Sequence, residues 1–151
     1  MSGGEIETYL YEAMKSIIAD DKASVHPMLE TPLSGSVYYK GTRPLQKEQG
    51  GTDKEDVIVA CLAGNESQLQ SGSCVVNVYI PDCLTNSGMY MRDKRRTDVV
   101  EAWLKTIPAL LSVNDIYFKR SSMVLTIEEM SIHQHFVSLK MDFQLLNESY
   151  D

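Results

Sequence analysis

The chain has 151 residues, 43% hydrophobic and 23% charged, with a net charge of -7 from 14 Lys and Arg against 21 Asp and Glu. That length suits one domain over residues 1–151, and that composition a packed core, which excludes a disordered chain. The acidic balance argues against a protein that grips phosphate backbones, an affinity that clustered cations supply, and the apolar runs fall far short of the roughly 20 residues a spanning helix needs.

Met1 to Glu5 has neither the basic stretch nor the apolar core of a signal peptide, so the cytosol is the expected compartment. From Glu5 to Ala19 the residues Ile6, Leu10, Met14 and Ile17 recur at helical spacing, and Ser2 with Glu5 has the spacing of a capping box. A helix is expected there, followed by a polar loop that closes at Pro32, Ser34 and Gly35. Ser36 to Lys40 reads as a strand. Gly41 to Lys54 is polar, carries glycine and lacks any period, so it is expected as a loop, whose part from Arg43 to Lys54 is loose in the isolated chain because it offers almost nothing apolar to offset the cost of ordering.

The β-branched runs Asp56 to Leu62 and Cys74 to Ile80 read as an antiparallel hairpin, with Val76, Val78 and Ile80 facing inward and Pro81 ending the second strand. The segment from Asp93 to Leu111 places Val100, Trp103, Leu104, Ile107 and Leu111 on one stripe and predicts a second helix that Pro108 kinks or shortens near its end. Strands are predicted at Asp115 to Phe118, Met123 to Glu128 and Phe136 to Asn147. In the last, Val137, Leu139, Met141, Phe143 and Leu145 face inward, and Ser138, Lys140, Asp142 and Gln144 outward. This order predicts an α+β fold, an antiparallel sheet with two helices packed on one face.

Motifs that carry chemistry are sparse. His133 and His135, two apart, would share a strand face within reach of one metal ion, but no third ligand stands at a recognisable spacing. A small metal-dependent enzyme is the alternative they leave open; otherwise they are surface residues. No nucleophile elbow surrounds any Ser, and Gly3-Gly4 and Gly50-Gly51 match no phosphate loop. Of the three cysteines, Cys61 and Cys74 lie in apolar strand-like runs and are expected reduced and buried, and Cys83 half-buried in a loop. The carboxylate pairs Asp20-Asp21, Glu55-Asp56 and Glu128-Glu129 are expected as solvated charge. Arg92, Lys94, Arg95 and Arg96 form one basic patch at the start of the second helix, where cations oppose the helix dipole, so either a partner's acidic surface or plain solvation accounts for them.

Several stretches together resemble the tail-completion, or tail-terminator, proteins of long-tailed bacteriophages and prophages, particularly those of Bacteroidetes. They are Ile6 to Tyr11, Val37 to Pro44, Lys54 to Val59, Val76 to Asp82 and Val137 to Asn147. The resemblance implies a structural subunit with no catalysis, cofactor or metal. It implies a homo-oligomeric ring, typically of six copies, that caps the tail tube, joins it to the head connector and lets DNA pass without specific binding or membrane contact. Assembly in the bacterial cytoplasm and a place in the virion tail follow from it, with a head-closure or other neck connector as the near alternative. Joining surfaces are implied on the loops Arg43 to Lys54 and Asn65 to Gly72, so Arg43, Lys47 and Lys54, together with the basic patch of Arg92, Lys94, Arg95 and Arg96, are the candidate partner-binding residues. A cytosolic ligand-binding module, with one deep apolar pocket, is a further alternative.

Overall fold

The computed structural model describes residues 2–61, 71–113 and 115–145. Helix α1 spans Gly3–Ala23. It starts where the sequence provides caps: Ser2 Oγ accepts the Glu5 N–H at 3.2 Å and Glu5 Oε1 accepts the Ser2 N–H at 3.3 Å. It runs four residues past the expected Ala19. The chain is then turned by Asp21, whose carboxylate accepts the N–H groups of Met28 and Leu29 at 2.8 and 3.2 Å.

Strands β1 (Val37–Tyr39), β2 (Val57–Cys61) and β3 (Ser71–Pro81) follow, then the short β4 (Cys83–Leu84) and β5 (Tyr90–Met91). Helix α2 (Lys94–Leu104) is capped by Asp93, whose carboxylate accepts the Arg96 N–H at 3.1 Å. Strands β6 (Leu110–Val113), β7 (Ile116–Glu129) and β8 (Gln134–Leu145) complete the described chain. The main sheet has the order β1-β2-β3-β8-β7-β6, while β4 and β5 pair separately. All its pairings are antiparallel except β1 with β2, which is parallel. The architecture is α+β.

Three expectations are corrected here. The second helix stops at Leu104 instead of running to Leu111, because Pro108 has no N–H to give and its ring disfavours helical backbone at Ile107. Ile107 is still buried, but Leu111 goes into β6 opposite Phe118. Asp115 to Phe118 and Met123 to Glu128 are not two strands: β7 is continuous, with a bulge between Arg120 and Val124 where Ser121 Oγ accepts the Met123 N–H at 3.1 Å. The parallel pairing of β1 is the third. The expected strand ends Leu62 and Asn147 lie outside the described residues.

Alternation along the strands decides what is buried. Val57 and Val59 of β2, Cys74, Val76 and Val78 of β3, Phe118 and Val124 of β7, and Val137, Leu139, Met141 and Phe143 of β8 join one core. Ile6, Leu10 and Met14 of α1 and Val100, Trp103 and Leu104 of α2 belong to the same core. Each large side chain so buried stabilises by about 1.5–3 kcal/mol. Among the described residues no helix is long and apolar enough to cross a membrane.

Candidate partner-binding surface

The seven cationic residues singled out from the sequence divide into two kinds. Arg43 and Arg96 are largely covered, with side-chain exposures of 13% and 12%. Arg43 Nε donates to Asp56 Oδ2 at 2.9 Å, its Nη2 donates to the Gln46 and Gln134 side chains and the Lys54 carbonyl, and its guanidinium lies 4.3 Å from the Tyr79 ring centre. Arg96 holds Glu55 with two nitrogens at 2.7 and 3.0 Å and donates to the carbonyls of Leu29 and Thr31 at 2.5 and 2.9 Å. Both are fixed by groups of their own chain and have little left for a partner.

Glu55 and Asp56 are the hub of this arrangement, which corrects the expectation of solvated charge. Beyond the two arginines, Asp56 accepts the Ser36 N–H at 3.2 Å, and Glu55 exchanges hydrogen bonds with Ser34. A side chain at Gly35 would run into the Asp56 carboxylate and the Glu55 carbonyl. Neighbouring carboxylates that point apart here serve two different arginines, 13 and 41 residues away in sequence.

The same network corrects the expectation of a loose loop. Gln46 and Gln134 are buried, and Gln134 donates to Gln46 Oε1 at 2.9 Å and Asp53 Oδ1 at 3.2 Å. Residues 47–49 form a short helical turn whose first N–H is taken by Asp53 at 2.8 Å. Polar side chains satisfied by one another order this segment where apolar ones are missing. On its outside, Lys47 and Lys54 are exposed.

Arg92, Lys94 and Arg95 are also exposed. Lys94 pairs with Asp98 at 2.6 Å and Arg95 with Glu30 at 2.6 Å, and Arg95 remains 78% exposed. Pairs in such solvated positions hold by about 0–1 kcal/mol and exchange readily for a partner's carboxylates. Lys94 and Arg95 line a surface cleft of about 700 Å³ between α2 and the segment at Pro27 to Glu30.

Sequence patterns did not reveal the exposed apolar side chains. Met123, Leu125 and Ile127 stand out from β7, and Met130 follows at 72% exposure; Leu84, Met89 and Met91 are exposed on and around the β4–β5 ribbon. On the far side of β7, β6 pairs only with Ile116 to Lys119, so among the described residues 124–129 pair with β8 alone. The signal that could have found them is alternation, since Leu125 and Ile127 fall opposite in phase to the buried Val124.

No protein-family model matches the chain. No curated protein matches it either. A solved structure is similar to it with a TM-score of 0.46 and 12% identity over 96% of each chain, below the level at which a shared fold follows.

The two histidines do not converge. His133 takes positive φ (52°) after a helical turn, so strand alternation does not apply to it, and its ring stacks on Tyr90 at 3.8 Å with Glu48 at 3.6 Å. His135 instead pairs through Nδ1 with Asp82 Oδ1 at 2.7 Å. Among the described residues no group of three or more His, Cys, Asp or Glu is placed to hold a metal. Cys74 is buried and Cys61 half-buried, but Cys83 is exposed in β4, contrary to expectation. Of the loop Asn65 to Gly72, residues 65–70 lie outside the described residues.

Proposed function

We propose that this chain is a structural, non-catalytic subunit of a phage or prophage tail: the terminator that caps the tail tube and joins it to the head. In this proposal it works as a ring, typically of six copies, in the virion tail after assembly in the host cytoplasm. Both helices cover the same face of the sheet, a placement supported by the single core that their buried side chains share with the inward strand residues. The opposite face and its rim are then left for partners.

The observation that carries the proposal is the row Met123, Leu125, Ile127 and Met130, apolar and exposed beside a stretch of β7 that pairs with β8 alone. A lone exposed apolar residue is ordinary, but several along one strand mark a surface that another protein covers. Lys47, Lys54, Arg92, Lys94 and Arg95 supply the polar contacts, held among the described residues only by weak solvated pairs or none. Arg43 and Arg96 act indirectly, by holding the segment at 41–54 and the start of α2 in place. A net charge of -7 suits a ring through which DNA slides without sticking.

The test is negative-stain microscopy of the purified chain mixed with tail tubes. Terminators cap one end of each tube as a ring. Particles on isolated heads, with tubes bare, would transfer the chain to the head-closure connectors, and a stoichiometric metal in protein purified without chelator would favour an enzyme instead.

A further inference from the structure

Cys61, at the end of β2, stands directly across the ladder from Cys74 of β3. The Cys61 N–H points away from β3, toward α1, where Glu7 Oε2 accepts it at 3.1 Å. Two residues earlier along β2, the Val59 carbonyl likewise turns from β3, to the Lys40 N–H at 3.1 Å. The cysteine pair therefore occupies a non-hydrogen-bonded position of an antiparallel ladder. Opposed Cα atoms at such positions lie about 4.5 Å apart, within the span of roughly 4.4–6.8 Å that a disulfide bridges. Alternation puts both side chains on the inward face, in phase with Val57, Val59, Val76 and Val78. Both thiols are free. We propose that Cys61 and Cys74 are a redox-responsive pair, which a low-molecular-weight disulfide such as oxidised glutathione converts to a cross-strand disulfide within the folded protein.

The two thiols have different parts in this reaction. Cys74 is wholly buried, and its thiol is pushed far above the usual range, first by burial and then by Cys61, Glu7 and Asp142. Cys61 is half-buried at the strand end, so it is the thiol an oxidant meets first. Its sulfur attacks glutathione disulfide and one glutathione leaves as a thiol, with a mixed disulfide on Cys61. The Cys74 sulfur then attacks the Cys61 sulfur, and the second glutathione leaves, taking up the proton Cys74 gives away. Two protein thiols are oxidised and one glutathione disulfide is reduced to two thiols, so electrons and atoms balance with no other reagent. The carboxylates of Glu7 and Asp142 oppose the Cys74 thiolate, so this second step sets the pace. Reduction by thiols reverses it, and the pair depends in no way on the assembly proposal.

The experiment uses the full chain with Cys83→Ser, to remove the exposed thiol, and incubates it with oxidised glutathione far below its melting temperature. Non-reducing peptide mapping is expected to show Cys61 joined to Cys74 and a mass lower by about 2 Da, with no retained glutathione. The melting temperature should rise on oxidation and fall back with dithiothreitol, because the link closes a loop in the unfolded chain. Glu7→Gln is expected to speed closure of the mixed disulfide. A stable glutathione adduct on Cys61 with Cys74 still free, or a link formed only in denaturant, overturns the proposal. So does modification of Cys74 in a folded Cys61→Ser protein, since it would show that oxidant enters without Cys61.

Discussion

Asp56 shows how much one side chain decides. It is buried at the meeting point of Arg43, Ser36 and Gln46, and removing it leaves a covered guanidinium without its charge partner. Asp56→Ala is expected to destabilise by about 3–5 kcal/mol in denaturant melts, because the cost is that of the orphaned cation and not the net worth of the pair. Arg95→Ala, at an exposed pair, should change stability by no more than about 0.5 kcal/mol. Equal losses from the two would mean that Arg43 reaches solvent when Asp56 is gone. Tyr79, beneath Arg43, gives a pH signature. Burial, followed by Glu129, raises its phenol above the ordinary value of 10.0, against the lowering effect of Arg43. A raised folded value means that the contribution to stability is complete below pH 10 and is lost as pH rises through the folded value. Melts between about pH 9 and 11 should therefore show the natural protein losing stability more steeply than Tyr79→Phe, which has no proton to lose. Parallel curves would contradict this.

At the level of the elements, β8 carries the most weight, since it pairs over nearly its whole length both with β3 on one side and with β7 on the other. Leu139→Ala and Phe143→Ala should each cost about 2–5 kcal/mol, and Lys140→Ala about 0.5 or less; a Lys140 variant as unstable as the others would show the inward face assigned to the wrong residues. This register was legible in the sequence because strand alternation is local, as was the opening helix, whose stripe and capping box lie within a few residues. Helix α2 was legible except for where it ends: Ile107 and Leu111 keep the helical stripe past Leu104, and the break comes from Pro108. The bulge at Ser121 and the parallel partnership of β1 leave no local trace, since each depends on a neighbour far away in the chain. The basic residues were found by composition, but not which of them are taken. Arg43 and Arg96 look like Lys47 and Arg95 in sequence, and differ because Glu55 and Asp56 reach them from 41 and 13 residues away. The loop at 41–54 defeated composition for a similar reason: its ordering comes from Gln134, 88 residues beyond Gln46.

For the whole molecule, the proposed assembly requires that the exposed row on β7 serve partners and not the fold. Leu125→Asp is expected to leave the melting temperature within a few degrees of the natural protein while dissociating rings to single subunits in sedimentation experiments, because a charge there is harmless in water and costly in an interface. A Leu125→Asp protein that unfolds would place that residue in the core, and one that still forms rings would place the interface elsewhere. The most direct measurement of the terminator proposal is the distribution of tube lengths in electron micrographs of tails made by a prophage that carries this gene, with the gene intact, deleted and restored on a plasmid. The proposal predicts tubes of one length with the gene, overgrown tubes of scattered length without it, and recovery on restoration. Tubes of one unchanged length in the deletion would contradict it.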